Sequence, residues 1–133
     1  MISIYRSGSK LSEQKTGTNN PCFMLASNYR KKLGKLGEKA AKRYYRQHGD
    51  SIIAENYYCH YGEIDLIVLR DKEIVFVEVK TRTSTDFGLP EEAVSNDKLQ
   101  KMADAADHWM EKVGYEGEFR FEIAAVIYNG KSV

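Results

Sequence analysis

The chain is poor in the residue types that mark several classes of protein. It has two cysteines and two prolines in 133 residues, and Cys22 and Cys59 lack the spacing of a disulfide framework or a metal site, which predicts reduced thiols. No apolar stretch approaches the roughly 18–20 residues that span a bilayer, and the N-terminus lacks a basic and then apolar signal pattern. We therefore expect a soluble cytoplasmic protein, with a flexible extension over residues 1–28 and a single domain over residues 29–133.

An excess of charge of one sign is also absent. The formal net charge is +1, whereas a dedicated nucleic-acid binder often carries a clear positive excess. Basic residues are nevertheless concentrated between Arg30 and Arg46, where Glu38 is the one acidic residue. This segment is either a phosphate-binding surface or a solvated helix face.

Apolar periodicity predicts two helices and four strands. The first helix extends from Leu33 to near Gly49, and the second extends from Asn96, its expected cap, to Val113, with Gly114 as the stop. Runs of β-branched and aromatic residues predict the strands. These runs cover residues 52–58, 64–69, 74–79 and 119–128. The order α-β-β-β-α-β predicts an α/β fold in which helices flank a mixed sheet.

The second and third predicted strands carry charged residues on one face. The polar break at 70–73 predicts a hairpin turn, and with an even-length loop the register places Asp65 opposite Glu78 and Glu63 opposite Lys80. An odd loop or a bulge would break this register. We expect Glu63 to form a salt bridge that orients Lys80 without binding metal.

Two directly opposed carboxylates repel each other unless a cation, a proton or a basic side chain lies between them. Hard oxygen ligands suit Mg²⁺ or Mn²⁺. Because side chains alternate along a strand, Lys80 shares a face with Glu78, and its ammonium can reach a water molecule or a phosphate there. This layout is suited to the cleavage of phosphodiester bonds.

The spacing of Asp65 and Glu78-x-Lys80 resembles the catalytic signature of the PD-(D/E)xK nuclease superfamily. Surrounding segments narrow the resemblance to the YraN-like family of predicted endonucleases, UPF0102, over residues 33–128. Those segments are Gly37-Glu38, Gly62-Glu63-Ile64-Asp65-Leu66-Ile67, Phe76-Val77-Glu78-Val79-Lys80-Thr81-Arg82, Lys98 and Ala105-Ala106. The resemblance implies a restriction-endonuclease-like core, related to archaeal Holliday-junction resolvases.

The same resemblance implies a magnesium- or manganese-dependent endodeoxyribonuclease. Its predicted catalytic residues are Asp65, Glu78 and Lys80, with Glu38 of the first helix assisting, and its predicted metal-binding set is Asp65, Glu78 and Val79. The alternative for Glu38 is an exposed helix glutamate that pairs with Lys35 or Lys42. The carboxylate of Glu122 has no assigned role, because it stands where the family tends to show aspartate.

Nucleic acid, with DNA first, is the expected partner, and no membrane is expected. The predicted phosphate contacts are Lys35, Lys39, Lys42, Arg43, Arg82 and Lys98. Branched DNA and RNA both stay open as substrates. A homodimer also stays open as the oligomeric state. The alternative function is a module on a nuclease fold that binds nucleic acid or a protein without cutting. Tyr57, Tyr58 and Tyr61 either stack on unpaired bases or are ordinary half-buried strand residues, and no histidine is assigned to catalysis.

Overall fold

The computed structural model describes residues 2–8, 25–82 and 95–128, and it describes side chains over residues 31–82 and 95–128. Within these ranges five strands and two helices follow one another along the chain. They are β1 (Ile2–Gly8), α1 (Leu25–Gln47), β2 (Ser51–Cys59), β3 (Gly62–Arg70), β4 (Glu73–Arg82), α2 (Asn96–Val113) and β5 (Phe119–Tyr128). The strands form one sheet in the order β1-β5-β4-β3-β2.

The predicted mixed sheet flanked by helices is confirmed. Strands β2, β3 and β4 form an antiparallel meander, and β4 is parallel to β5 because α2 crosses over between them. The hairpin register is also confirmed where the strands pair, since Leu69 is opposite Ile74. Arg70 is opposite Glu73, so the turn has two residues, and Asp71 adopts a φ of 54° there.

Strand β1 departs from the prediction of an extension without regular structure. Ile2–Gly8 pairs antiparallel with β5 along its length. This strand is short and largely polar, so its order comes from backbone bonding to a neighbour that local periodicity does not reveal. Helix α1 begins at Leu25, earlier than the apolar stripe from Leu33 indicates, and the part of the predicted extension at residues 9–24 lies outside the described residues.

The two helices cover opposite faces of the sheet. Helix α1 packs on one buried cluster of Ala41, Tyr45, Leu66, Val68, Val75, Val77, Ala124 and Val126. Helix α2 packs on the other, which contains Cys59, Ile64, Ile67, Ile74, Phe76, Met102, Ala105, Ala106 and Trp109. Helix α1 approaches β4 closely at Gly37, where an added Cβ would lie 1.7 Å from Thr81 Oγ1.

Helix α2 is defined by its caps. Ser95 is the N-cap, one residue before the expected Asn96, and its Oγ accepts a hydrogen bond of 3.1 Å from Lys98 N. Gly114 ends the helix with a φ of 72°, as predicted. Neither helix in the described part of the chain combines the length and the apolar character needed to cross a membrane.

The alternation of side chains along β3 is interrupted at Asp65. Ile64 and Ile67 both lie in the cluster under α2, although residues three apart on an unbroken strand face opposite sides. The neighbouring strand is interrupted at the same level, where Asn56 of β2 has a φ of 48°. In β3, the residues before Asp65 therefore lie on the opposite face of the sheet from the face that unbroken alternation predicts for them.

Candidate functional site

Glu78 is the centre of a buried ionic cluster in the second half of β4. The residue is only 3% exposed, and its Oε1 atom lies 3.6 Å from Lys80 Nζ and 3.2 Å from Lys98 Nζ. Lys80 is two residues further along the same strand face, and Lys98 comes from the first turn of α2. Two ammonium groups from different elements thus share one carboxylate oxygen.

Asp65 lies beside this cluster, as predicted. The paired register of β3 and β4 ends at Leu66 opposite Val77, and Asp65 and Glu78 each follow one residue beyond it. Asp65 Oδ2 accepts a hydrogen bond of 2.7 Å from Val79 N. Burial, and then the negative charge of Glu78, raise the pKa of Asp65 to about 7 against the effect of this hydrogen bond.

Glu38 approaches the site from α1. Burial raises the pKa of Glu38, while a hydrogen bond from the Asn56 side chain and the charge of Lys42 oppose that shift. The charge of Glu38 in turn contributes to the raised pKa of Asp65, so the two carboxyl groups are electrostatically coupled. Among the described side chains, however, no three His, Cys, Asp or Glu residues are grouped closely enough to hold a metal ion. Glu38 is therefore not a third ligand in this arrangement.

The predicted salt bridge between Glu63 and Lys80 is wrong. Lys80 instead pairs with Glu78, on the side of the sheet that faces α2. The interruption at Asp65 is the physical reason, because Ile64 faces α2 and the adjacent Glu63 must then face the other side. A single change of alternation moves Glu63 away from the lysine that it was expected to orient.

Lys98, predicted as a phosphate contact, is part of the site itself because it pairs with Glu78. Burial acts to lower the pKa of Lys98, but the charge of Glu78 and the hydrogen bond between them outweigh burial, so the pKa is raised. A lysine in the first turn of a helix is opposed by the helix dipole, which favours anions there. That misplaced charge is the sequence signal that could have pointed to a specific carboxylate partner.

The other predicted phosphate contacts are spread over α1 and the end of β4. A hollow on α1 is lined by Lys39, Lys42, Arg43, Arg46 and Gln47, so Arg46 extends the predicted set. Lys42 also forms an ion pair with Glu55 of β2. Arg82 ends β4, two residues after Lys80. The basic residues of α1 are called the α1 basic surface, which consists of Lys35, Lys39, Lys42, Arg43 and Arg46.

A second buried ionic cluster was not predicted. Arg70 Nη1 donates to Glu122 Oε1 at 2.7 Å, and Arg70 Nη2 donates to Asp50 Oδ2 at 3.1 Å. Tyr45 donates a further hydrogen bond of 2.9 Å to Glu122 Oε2. The hydrogen bond to Glu122 raises the pKa of Arg70 above its usual range, and the bond to Asp50 adds to this effect against burial. Glu122, which had no assigned role, therefore joins β5 to α1 and β3.

The fold and the first cluster define a mixed α/β protein with neighbouring carboxylates on β3 and β4 and two lysines beside Glu78. A family model described as "Uncharacterised protein family UPF0102" matches residues 37–126. A UPF0102 protein of Caldanaerobacter subterraneus subsp. tengcongensis is 45% identical over 101 residues, which cover 75% of this chain and 83% of that protein.

Two further relatives agree with this match. A UPF0102 protein of Syntrophomonas wolfei is 40% identical over 104 residues, covering 77% of this chain and 90% of that protein. A UPF0102 protein of Alkaliphilus metalliredigens is 42% identical over 98 residues, which cover 73% of this chain and 86% of that protein. The chain belongs to the UPF0102 family.

Proposed function

We propose that the protein is a metal-dependent nuclease that hydrolyses phosphodiester bonds in DNA. The observation that carries this proposal is the juxtaposition of Asp65 and Glu78, two partly or fully buried carboxylates, with the ammonium groups of Lys80 and Lys98. The resemblance to the PD-(D/E)xK superfamily supports a restriction-endonuclease-like assignment for this fold. The description of the UPF0102 family names no activity, so the proposal depends on the site.

The donor set fits a hard divalent cation. Asp65 is held at a raised pKa by burial and by Glu78, and a cation between the two carboxylates would remove that repulsion. Asp65 and Glu78 would hold Mg²⁺ or Mn²⁺, with Val79 adjoining them. Such an ion, when bound, lowers the pKa of a water molecule and stabilises negative charge on phosphate oxygens.

The two lysines supply the positive charge of the protein itself. Lys80 and Lys98 both lie within 3.6 Å of Glu78 Oε1, and each is partly exposed, so a phosphate that enters the site meets both. Charge that is fixed in place before the reaction stabilises the transition state more than mobile charge does. Lys80 would orient the attacking water, and Lys98 would contact the phosphate.

The α1 basic surface would position the nucleic-acid backbone. It lies on the helix that covers the other face of the sheet from Lys80 and Lys98, so it would contact backbone phosphates at a distance from the reacting one. Contacts of this kind fix the position of the strand without reading its bases. Binding should therefore be largely independent of sequence and sensitive to salt.

Cleavage of defined substrates tests the activity. Labelled duplex, flap, junction and single-stranded DNA should be incubated with Mg²⁺ or Mn²⁺, and at least one should be cut. Asp65→Ala should abolish that cleavage. Asp107→Ala, which removes an exposed carboxylate of α2, is the matched control and should cut normally. Cleavage by Asp65→Ala at the wild-type rate would overturn the assigned site.

Calorimetry tests the metal site separately. We expect weak binding of Mn²⁺ by the wild type, because a site with few protein ligands retains several waters. The double variant Asp65→Ala/Glu78→Ala should show no binding heat. Equal binding by both proteins would move the metal elsewhere.

The salt dependence of binding tests the α1 basic surface. Replacing Lys39 and Arg43 by Gln should weaken binding to all sequences and flatten the slope of log affinity against log salt by about 1.8, since each phosphate contact contributes about 0.9. The matched control replaces the exposed Lys72 and Lys112 by Gln. An equal change of slope in both variants would contradict a dedicated surface on α1.

One observation favours a second function, a nucleic-acid-binding module that does not cut. Lys98 already neutralises Glu78 at 3.2 Å, and no group of three metal-ligating side chains is found in residues 31–82 and 95–128. Salt-sensitive DNA binding together with absent cleavage of every substrate would select this alternative.

A further inference from the structure

The turn between β2 and β3 presents an aromatic surface next to the candidate site. Tyr61 is 53% exposed. Its ring centroid lies 5.4 Å from that of His60 and 5.8 Å from that of His108 on α2. An exposed tyrosine at a turn is usually solvated on its own, whereas this ring is flanked by two others.

The rings behind Tyr61 are held in place. Tyr57 and His108 share a hydrogen bond of 2.5 Å between the hydroxyl group and Nδ1, and Tyr57 packs against the core under α2. The turn itself is seated on the helix, because a Cβ added at Gly62 would lie 3.0 Å from Lys101 O. The ammonium group of Lys101 is largely exposed and lies 3.5 Å from Asp97 Oδ2. The aromatic surface is therefore fixed in position, with an exposed ion pair at its edge.

The turn is also close to the carboxylates. Asp65 is four residue steps along the chain from Tyr61, which corresponds to about 13 Å of extended strand. Stacked nucleotides advance by about 3.4 Å along a strand. A strand with a phosphate at Asp65 could thus place a base at Tyr61 within about four nucleotides.

We propose that Tyr61 is a stacking platform for an unpaired base, so that the substrate carries a single-stranded segment beside the cleaved bond. This inference rests on the proposed nuclease function and specifies its substrate class. Bases inside a duplex already have both faces covered by their neighbours, so away from the duplex ends an unpaired base is the one that can offer a face to the protein. Stacking of this kind tolerates any sequence, because every base has a π-face.

Equilibrium binding of labelled oligonucleotides to the full chain tests the platform. The probes are a single strand, a duplex with a single-stranded overhang and a blunt duplex, with Ca²⁺ in place of the catalytic ion. Tyr61→Ala should weaken binding of the first two probes by about 5- to 100-fold, the range for loss of one stacking aromatic residue. It should leave the blunt duplex within about twofold, and Tyr61→Phe should restore binding because it restores the ring.

Tyr58→Ala is the matched control. Tyr58 is 77% exposed, but it alternates with Tyr57 on β2 and so faces away from α2. This variant should bind all probes like the wild type. Equal losses in the Tyr58 and Tyr61 variants, or wild-type binding by Tyr61→Ala, would overturn the platform.

The failures of the two proposals are distinguishable. Binding that depends on Tyr61 without any cleavage would remove the nuclease and leave the platform. Cleavage that prefers blunt duplex and is unchanged in Tyr61→Ala would remove the platform and leave the nuclease.

Discussion

Asp65 is destabilising in the absence of a cation. Its pKa is raised from 3.8 to about 7 by burial and by Glu78, so the folded protein holds this proton more tightly than the unfolded chain does. Stability should therefore fall as pH rises from about 4 to about 7, where the folded carboxyl group loses its proton. Functional carboxylates commonly carry such a cost.

Asp65→Asn should stabilise the metal-free protein at pH 8 by about 2–4 kcal/mol, since the pKa is raised by roughly three, and one unit of pKa is worth about 1.4 kcal/mol. The Asn oxygen can still accept the hydrogen bond from Val79 N. Denaturant unfolding in EDTA at pH 5 and pH 8 measures this, and the gain should be smaller at pH 5. Asp107→Asn, at an exposed position of α2, is the control and should change stability little. A destabilised Asp65→Asn protein at pH 8 would contradict the electrostatic account.

The two lysines at Glu78 make a second prediction. If both face the reacting phosphate, Lys80→Ala and Lys98→Ala should each lower the single-turnover cleavage rate by about 100-fold while DNA binding changes little. Lys112→Ala, which removes an exposed lysine from the last turn of α2, should cleave normally. A wild-type rate for Lys98→Ala would mean that its ion pair with Glu78 only fastens α2 to the sheet.

Helix α1 is positioned against β4 by the absence of a side chain. Gly37→Ala would force a Cβ to within 1.7 Å of Thr81 Oγ1, so we expect a loss of about 1–3 kcal/mol of stability from overpacking. Gly34→Ala is the control on the same helix, because nothing lies within 4 Å of its added Cβ. It should stabilise by up to about 1 kcal/mol. Thermal unfolding of both variants checks this, and equal effects would refute the close approach.

The β3–β4 hairpin was predictable because its information is local. A polar break between two β-branched runs is enough to fix Leu69 opposite Ile74. The interruption at Asp65 was not predictable, since it occurs together with the unusual φ of Asn56 on β2, a partner that the β3 sequence does not specify. The error over Glu63 follows directly from it. Ser95 and Asn96 are both good capping residues, so the sequence alone did not separate them.

The cluster of Arg70, Asp50 and Glu122 connects distant parts of the chain. Arg70→Ala would leave two buried carboxylates without their cation, and we expect a loss of about 3–5 kcal/mol. Arg120→Ala is the control, because Arg120 pairs with Glu73 at the surface, and such pairs contribute about 0–1 kcal/mol. Chemical denaturation measures both variants. A small effect of Arg70→Ala would show that the carboxyl groups accept protons at little cost.

Contacts between residues far apart in the sequence were not predicted from the sequence alone. Arg70 is 20 residues from Asp50 and 52 from Glu122, and no local pattern relates them. Lys98 and Glu78 are likewise joined only by the crossover through α2. By contrast, Asp65, Glu78 and Lys80 lie within one hairpin, and the structure brings these three together as predicted.

Strand β1 has a consequence for the solubility of shortened forms of the protein. It covers the outer edge of β5, where Ala124, Ala125 and Val126 are buried, and it precedes the segment at 37–126 that the family model matches. A chain trimmed to the matched segment would expose a row of unpaired backbone amides beside apolar side chains. Such an open edge recruits strands from other molecules, so the trimmed protein would tend to aggregate even with every residue of the candidate site intact.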